Sequence, residues 1–558
     1  MARRVIVIGG VAGGASCAAR LRRLDESVEI TVLERGPYAS FANCGLPYHV
    51  GNVIADERKL LVASRESFRD RFAIDVLTGH EALAIDRAAR TVRVRDLAAG
   101  AETELGYDVL VLAPGAAPFK PPVEGTDLPG VFTVRTIPDT RRIRAWLTEH
   151  PCREAVVVGG GFIGLEMAEN LAHRGLTVTV LEKLPQVMPP IDPEMAALVS
   201  EHLRAHGLVL RLGEGFARIG QESRLVVHTD LGNALATDLV ILALGVRPEV
   251  TLARAAGLPL GARGGIVVDA EMRTSDPAIW AVGDAVEVHD HVLGQEVILP
   301  LAGPANRQGR VAAESIAGRA TQFRGVQGTA IVGVLGLMVA TTGASEKGLR
   351  RAGVERFGAV YLHPGHHAGY YPDAAPIHMK LLFSRDDGRI LGAQAVGTQG
   401  VDKRIDVIAT ALQLGGTVHD LAEAELCYAP QFGAAKDPVN VAGMMAQNAL
   451  RGDMPLADWS ALGTTDALLL DVRDPDEHAH QHLEGSINVP LAELRKRLGE
   501  LPRDRPIWVC CAAGQRAYFA QRLLLQHGFR AENLSGGMAT WSAMREAGLL
   551  PTPSRSET

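Results

Sequence analysis

Cysteine is scarce in this chain: Cys17, Cys44, Cys152, Cys427, Cys510 and Cys511 are the six in 558 residues. So sparse a set excludes a disulfide-stapled extracellular scaffold and points to a reducing compartment. A long hydrophobic run is missing as well. The longest charge-free apolar stretch, residues 328–345, falls short of a membrane span of roughly 20 residues and is rich in Gly and Thr. It reads instead as two buried strands around Gly336. The opening MARRVIVIGG passes directly into a buried-strand pattern, without the apolar region and cleavage site of a signal peptide, so a cytoplasmic location is expected. No long basic run is found and the formal net charge is -7, which argues against a general nucleic-acid partner.

What remains is the composition of a soluble globular protein, 47% hydrophobic and 22% charged, on a length that calls for several domains. Residues 4–8, RVIVI, form a short apolar run that leads into glycines and then a helical pattern. Such a strand, glycine turn and helix make a phosphate cradle, with backbone N–H groups and the positive helix end facing a pyrophosphate. The next strand, EITVLE, ends at Glu34, placed to bond a ribose hydroxyl. Gly9 and Gly14 fit the G-x-G-x-x-G fingerprint, Val11 stands at its second glycine, and Gly10 and Gly13 flank it. Residues 155–183 repeat the unit without departure: Gly159, Gly161 and Gly164, then a helix, a strand and a terminal acid, Glu182. Two nucleotide sites imply an electron relay.

Between and after the two copies lie LVLAPGAAP (110–118), LALGVRPEV (242–250) and TSDPAIWAVGDA (274–285). With these motifs the chain resembles the pyridine nucleotide-disulfide oxidoreductases, flavoproteins with two dinucleotide sites. The resemblance implies FAD in the first copy, with Asp284 against the ribityl chain, and NAD(P)H in the second. It also implies an α/β architecture of two Rossmann-like dinucleotide-binding domains, an α+β interface (dimerisation) domain and a further C-terminal α/β domain. The expected boundaries are 1–118 and 250–322 for the FAD domain, 119–249 for the nicotinamide domain and 323–447 for the interface domain, through which a homodimer forms.

Members of this family usually carry a C-x4-C pair, whereas Cys44, in SFANCGLPY (40–48), has Ala39 five residues before it and His49 five after. A lone cysteine completes its cycle by a mixed disulfide with an external thiol. HHAGYYP (366–372) and YAPQFGAAKDPVN (428–440) sharpen the match: residues 1–447 resemble the coenzyme A disulfide reductases and coenzyme A persulfide reductases. That subfamily implies coenzyme A bound covalently at Cys44 and proton donors at Tyr370 and Tyr428, reaching in from the other subunit. It implies a coenzyme A path lined by Ser16, Arg23, Ser40, Asn43 and Lys436, with Arg20, Asn306 and Arg22 as further members. The phosphates of coenzyme A need cationic partners, which suits the arginines; the alternative for Arg20, Arg22 and Arg23 is a solvated helix face.

Residues 448–460 lose helix and strand periodicity and read as a linker, and residues 461–551 form a separate α/β unit, followed by a tail at 552–558. Its centre is a strand, the loop Cys511-Ala-Ala-Gly-Gln-Arg516 and a helix. Successive N–H groups and the helix end would stabilise a thiolate or persulfide on Cys511. The unit resembles a rhodanese domain, with a DVRxPxE element at 471–477 and a GGxxxW element at 536–541. Four residues between Cys511 and Arg516 suit sulfur rather than phosphate. Cys510 alternates to the other side of the strand as a packing residue, with a resolving role as the alternative. Cys17 reads as a buried apolar residue. The histidine groups His363, His366 and His367, and His478, His480 and His482, lack Cys or carboxylate ligands at metal spacing, so no metal is expected.

These readings combine into an NADH-dependent flavoprotein reductase of coenzyme A persulfide, polysulfide or coenzyme A disulfide, with a fused sulfurtransferase. The rivals are an NADH oxidase cycling Cys44 through sulfenic acid, and a carrier in which Cys511 hands sulfur to a protein partner. Glu182 favours NADH over NADPH, and Lys183 leaves NADPH possible.

Overall fold

The structure is a computed structural model, and it describes residues 2–550. The chain divides into two compact units, one comprising the residues up to Lys183 with Glu214–Val326, the other Leu184–Gly213 with the chain from Gln327 onward.

In the first unit the apolar runs become parallel sheets. Strand Arg4–Ile8 lies at the centre of a five-stranded sheet, flanked by Val109–Leu112 and Ile279–Ala281 on one side and by Glu29–Glu34 and Ile74–Thr78 on the other. Its residues after Arg4 are buried, the pattern of a strand covered on both faces. Helix Ala12–Arg22 packs over it with Cys17 wholly buried, and that burial pushes the thiol up to about 12. The second copy repeats the plan: Glu154–Val158 pairs in parallel with Thr177–Glu182 and Leu239–Leu242, and helix Phe162–His173 follows its glycine turn.

The second unit contains an antiparallel sheet in the order Ala330–Val334, Leu337–Gly343, Ile390–Gly397, Ile377–Ser384, Phe357–Leu362. The apolar stretch 328–345 is thus a hairpin, turning at Leu335 and Gly336, both with positive φ (50° and 83°), as a two-residue turn of the primed type requires. Among the described residues no helix is long and apolar enough to cross a membrane. A four-stranded parallel sheet of Ile487–Asn488, Leu468–Asp471, Ile507–Cys510 and Ala531–Asn533 forms the C-terminal part of this unit.

Residues 184–213 of the expected 119–249 stretch fall in the second compact unit. That unit holds a buried ionic cluster. Asp192 and Glu194, at the start of helix Pro193–Ala205, and Glu346 accept hydrogen bonds from the Lys380 ammonium at 3.0, 2.6 and 2.8 Å. Gln394 donates to the Asp192 carboxylate and accepts from its backbone N–H. Burial opposes the Lys380 charge, yet the facing Tyr361, Glu194, Asp192 and Glu346 outweigh it and hold the ammonium well above the usual lysine value. The expected linker stretch, 448–460, carries buried residues. Helix Pro438–Arg451 runs past 447, and Met454, Ala457 and Trp459 are buried, the Trp459 indole donating to Ser535 O at 3.1 Å. The expected tail, 552–558, lies outside the described residues.

Replacing Lys380 by Met should strand three carboxylates around an apolar chain and lower stability by about 3–5 kcal/mol. Chemical denaturation followed by circular dichroism checks this, and an unchanged midpoint would contradict it.

Candidate active site

The two glycine turns share one geometry. Gly9 and Gly159 have φ of 103° and 110°, and each donates its N–H to the strand beside it, to Leu33 O and Leu181 O at 2.8 Å. A Cβ on Gly14 or Gly164 would stand 1.9 Å from the carbonyl oxygen of Gly9 or Gly159, so the helix can approach only without a side chain there. The terminal acids brace the turns: Glu34 accepts from Gly10 N at 3.0 Å and Glu182 from Gly160 N at 2.7 Å. Val11 is also accounted for. Its counterpart Gly161 has extended backbone (φ -83°, ψ -169°) and open space where a Cβ would stand, so the second position of this turn accepts a side chain.

Beside the first turn is a cavity of about 370 Å³ lined by Gly9, Val11, Glu34, Asn43, Ala113 and Arg135. Asn43 Oδ1 is buried there without a hydrogen-bond partner among the described residues, an acceptor awaiting a donor. Asp284 pairs with Arg135 at 3.4 Å. A glycine turn, a brace at the ribose position, an orphaned amide and a paired acid together fit a flavin dinucleotide.

Cys44 lies in the short helical turn Asn43–Gly45, exposed and in no disulfide. Partial desolvation of its sulfur, then the carboxylate of Glu166, raises the thiol above its ordinary value. Glu166 and Tyr48 escaped the sequence reading. Glu166 follows the second glycine turn by two residues, and Tyr48 comes one helical turn after Cys44; the Tyr48 hydroxyl donates to Glu166 Oε1 at 3.2 Å. Burial raises Glu166 to about 7. The available signal was an acid five residues into helix Phe162–His173, two after the last glycine of its turn.

The coenzyme A path residues divide. Ser16 donates to Asn306, and Arg20 pairs with Glu314 at 2.6 Å, so both join helix Ala12–Arg22 to helix Ala302–Ile316. Arg23 is exposed and Ser40 buried in a short strand. Arg22 is neither a solvated nor a phosphate-facing group: it is buried and donates to the carbonyls of Phe72, Glu26 and Ala73. In the second unit Lys436 is exposed, and Tyr370 and Tyr428 share a 2.8 Å hydrogen bond between their hydroxyls. That bond raises Tyr370 above the ordinary phenol value.

In the C-terminal sheet, Cys511 follows strand Ile507–Cys510 and Gly514 N donates to its Sγ at 3.1 Å, at the start of helix Gln515–Gln526. Arg516 is fixed by a two-pronged pair with Glu477 at 2.7 and 2.8 Å. Cys510 is buried on the other face with Trp508, and Cys511 packs with Val509, so the neighbouring sulfurs diverge. The histidines do not converge as ligand sets: His363 faces His378 and Thr540, while His478 stacks on His482.

Residues 3–309 match the pyridine nucleotide-disulphide oxidoreductase family, 329–437 its dimerisation domain and 458–544 the rhodanese-like domain. The chain is 37% identical to an NADH oxidase of Methanocaldococcus jannaschii over 80% of its length and 99% of the relative's. It is 35% identical to a coenzyme A disulfide reductase of Staphylococcus epidermidis over 80% and 100%. Over nearly its whole length it resembles two solved structures. Reduced CoADR-RHD of Bacillus anthracis is 45% identical, with a TM-score of 0.96 over 98% of this chain and 99% of that one. An NAD-dependent persulfide reductase of A. fulgidus is 40% identical, with a TM-score of 0.90 over 96% and 100%. Its paired glycine turns, lone Cys44 and C-terminal cradle, taken with these matches, place this chain in the pyridine nucleotide-disulphide oxidoreductase family, extended by a rhodanese-like domain.

Proposed function

We propose that this protein is an NADH-dependent reductase of coenzyme A persulfide and coenzyme A disulfide, working as a homodimer, with a sulfurtransferase on the same chain. The observation that carries the reading is Cys44, exposed and without a disulfide partner among the described residues. Bound FAD would supply the two-electron link between nicotinamide and sulfur.

The residues of the chain do the rest. Cys44 thiolate attacks the sulfur bound to carbon in a coenzyme A persulfide; the S–S bond breaks, hydrosulfide leaves with the electron pair, and a mixed disulfide with coenzyme A remains. Reduction of that disulfide by two electrons returns Cys44 thiolate and releases coenzyme A, whose sulfur takes a proton from the Tyr370 and Tyr428 pair of the other subunit. The exposure of Tyr370 (76%), Tyr428 (49%) and Phe432 (63%) suits a surface that a second copy covers. Ser16, Arg20, Arg23, Ser40, Asn43, Asn306 and Lys436 are proposed to line the coenzyme A path. Cys511 would carry sulfane sulfur and load it onto coenzyme A, with Arg516 as the cation beside it. The oxidase reading is the weaker one, because the relatives that share the C-terminal domain are not oxidases by name.

Cys44→Ser should keep its flavin and the reduction of that flavin by NADH while persulfide and disulfide turnover falls by about a thousandfold or more. Steady-state assays against stopped-flow flavin bleaching measure the two separately, and normal turnover would sink the mixed-disulfide mechanism. For Cys511→Ser the expectation is lost sulfur transfer from thiosulfate with reduction of preformed coenzyme A persulfide retained; joint loss in a folded, flavin-loaded protein would contradict it. Glu182→Ala should narrow or reverse the preference for NADH, by ~1–3 kcal/mol in relative kcat/KM, since it removes a charged hydrogen bond to the ribose and a repulsion toward a 2'-phosphate. Equal use of both nucleotides by the wild type would refute that assignment.

A further inference from the structure

The Gly536 and Gly537 turn of the C-terminal domain is held from both sides. On one side it touches the Cys511 loop: Met538 N donates to Cys511 O at 2.8 Å, Ala539 N donates to Ala512 O at 3.0 Å, and a Cβ on Gly537 would stand 2.1 Å from Cys511 O. On the other side it meets the end of strand Phe357–Leu362 in the antiparallel sheet. A Cβ on Gly536 would come within 2.0 Å of Thr540 Oγ1 and 2.9 Å of both His363 Nε2 and Tyr361 Cβ. Both glycines have positive φ, 75° and 58°, so the turn tolerates neither a side chain nor much displacement.

Polar bonds fasten this wedge. The Tyr361 backbone N–H donates to Ser535 Oγ at 2.9 Å, and that hydroxyl donates back to Tyr361 O at 3.2 Å. His363 Nε2 lies 2.8 Å from Thr540 Oγ1, and its Nδ1 lies 2.8 Å from His378 Nδ1. Burial, with His378 beside it, pushes His363 down to about 3, so the ring stays neutral and the chain Thr540, His363, His378 persists across ordinary pH. The Tyr361 hydroxyl meanwhile donates to Glu194 in the Lys380 cluster at 3.0 Å.

We propose that His363 and Thr540 are positioning residues for the sulfurtransferase: their hydrogen bond pins the Gly536 and Gly537 turn against the Cys511 loop and sets the aim of its N–H groups. The proposal rests on the sulfurtransferase reading of Cys511. In that reaction Cys511 thiolate attacks the sulfane sulfur of thiosulfate, the S–S bond breaks and sulfite leaves with the electron pair; cyanide then removes the sulfur as thiocyanate and restores the thiolate. A loop held by an unfastened turn would still bind thiosulfate but would stabilise the departing charge less well.

The test uses the full-length, flavin-loaded protein with thiosulfate and cyanide. Thr540→Val removes the hydroxyl at constant volume. It should lower kcat about tenfold with KM for thiosulfate little changed, the order expected for loss of one buried hydrogen bond, while NADH still bleaches the flavin at the wild-type rate. Thr540→Ser, which keeps the hydroxyl, should recover to within about twofold. His363→Phe should match Thr540→Val, and the double variant should be no worse than either single one. Wild-type kcat in Thr540→Val, no rescue by Thr540→Ser, or additive losses in the double variant would each overturn the proposal. Absence of any transfer by the wild type, or full transfer by Cys511→Ser, would overturn the sulfurtransferase reading itself and the proposal with it.

Discussion

Lys380 carries its charge where burial alone would remove it, and the second unit is built around that fact. An ammonium in such a place survives only with close counter-charges, and the three carboxylates come from stretches far apart in sequence: Asp192 and Glu194 from the segment that leaves the second nucleotide fold, Glu346 from the start of the short helix that follows the hairpin. None of these acids could be buried alone. They tie residues 192 and 194 to the antiparallel sheet within one compact unit, and Tyr361, bonded to Glu194 by its hydroxyl and to Ser535 by its backbone, continues the connection toward the Cys511 loop.

The first unit depends on a simpler device used twice. A carboxylate at the end of the second strand accepts from the backbone N–H of the glycine turn, and the turn in turn admits the helix that follows. Near-identity of the two turns, down to their φ angles and their helix approach, gives two nucleotide sites of one kind. A chain with two such sites and an exposed thiol at Cys44 has the parts needed to move electron pairs from a soluble carrier to sulfur.

Much of this was legible in the sequence, because glycine spacing, strand periodicity and a lone cysteine each express a local requirement. The fingerprint at 159–164, the hairpin about Gly336 and the loop 511–516 follow from residues near one another in the chain. What escaped was decided by distance in sequence. Nothing near residue 192 announces that Lys380 will neutralise it, and Glu166 reads as an ordinary helical acid until Tyr48 is seen against it. In the sequence Arg22 is a candidate for the coenzyme A path, with a solvated helix face as the alternative; only the fold reveals the three carbonyls that take up its guanidinium. The segment 448–460 lacks periodicity because its order comes from single anchors, above all Trp459, rather than from a repeating face.

The divergence of Cys510 and Cys511 has a chemical consequence. Cys510 is sealed in a separate apolar cluster on the far side of its strand, and its burial raises the thiol well above the usual value. Two adjacent residues facing opposite ways cannot bring their sulfurs to bonding distance without breaking the strand. On the proposed sulfurtransferase reading, a sulfur atom parked on Cys511 would therefore be safe from the thiol next to it. It would persist until a visiting nucleophile collected it, so the delivery of sulfur would be governed by what enters the loop and not by an internal short circuit.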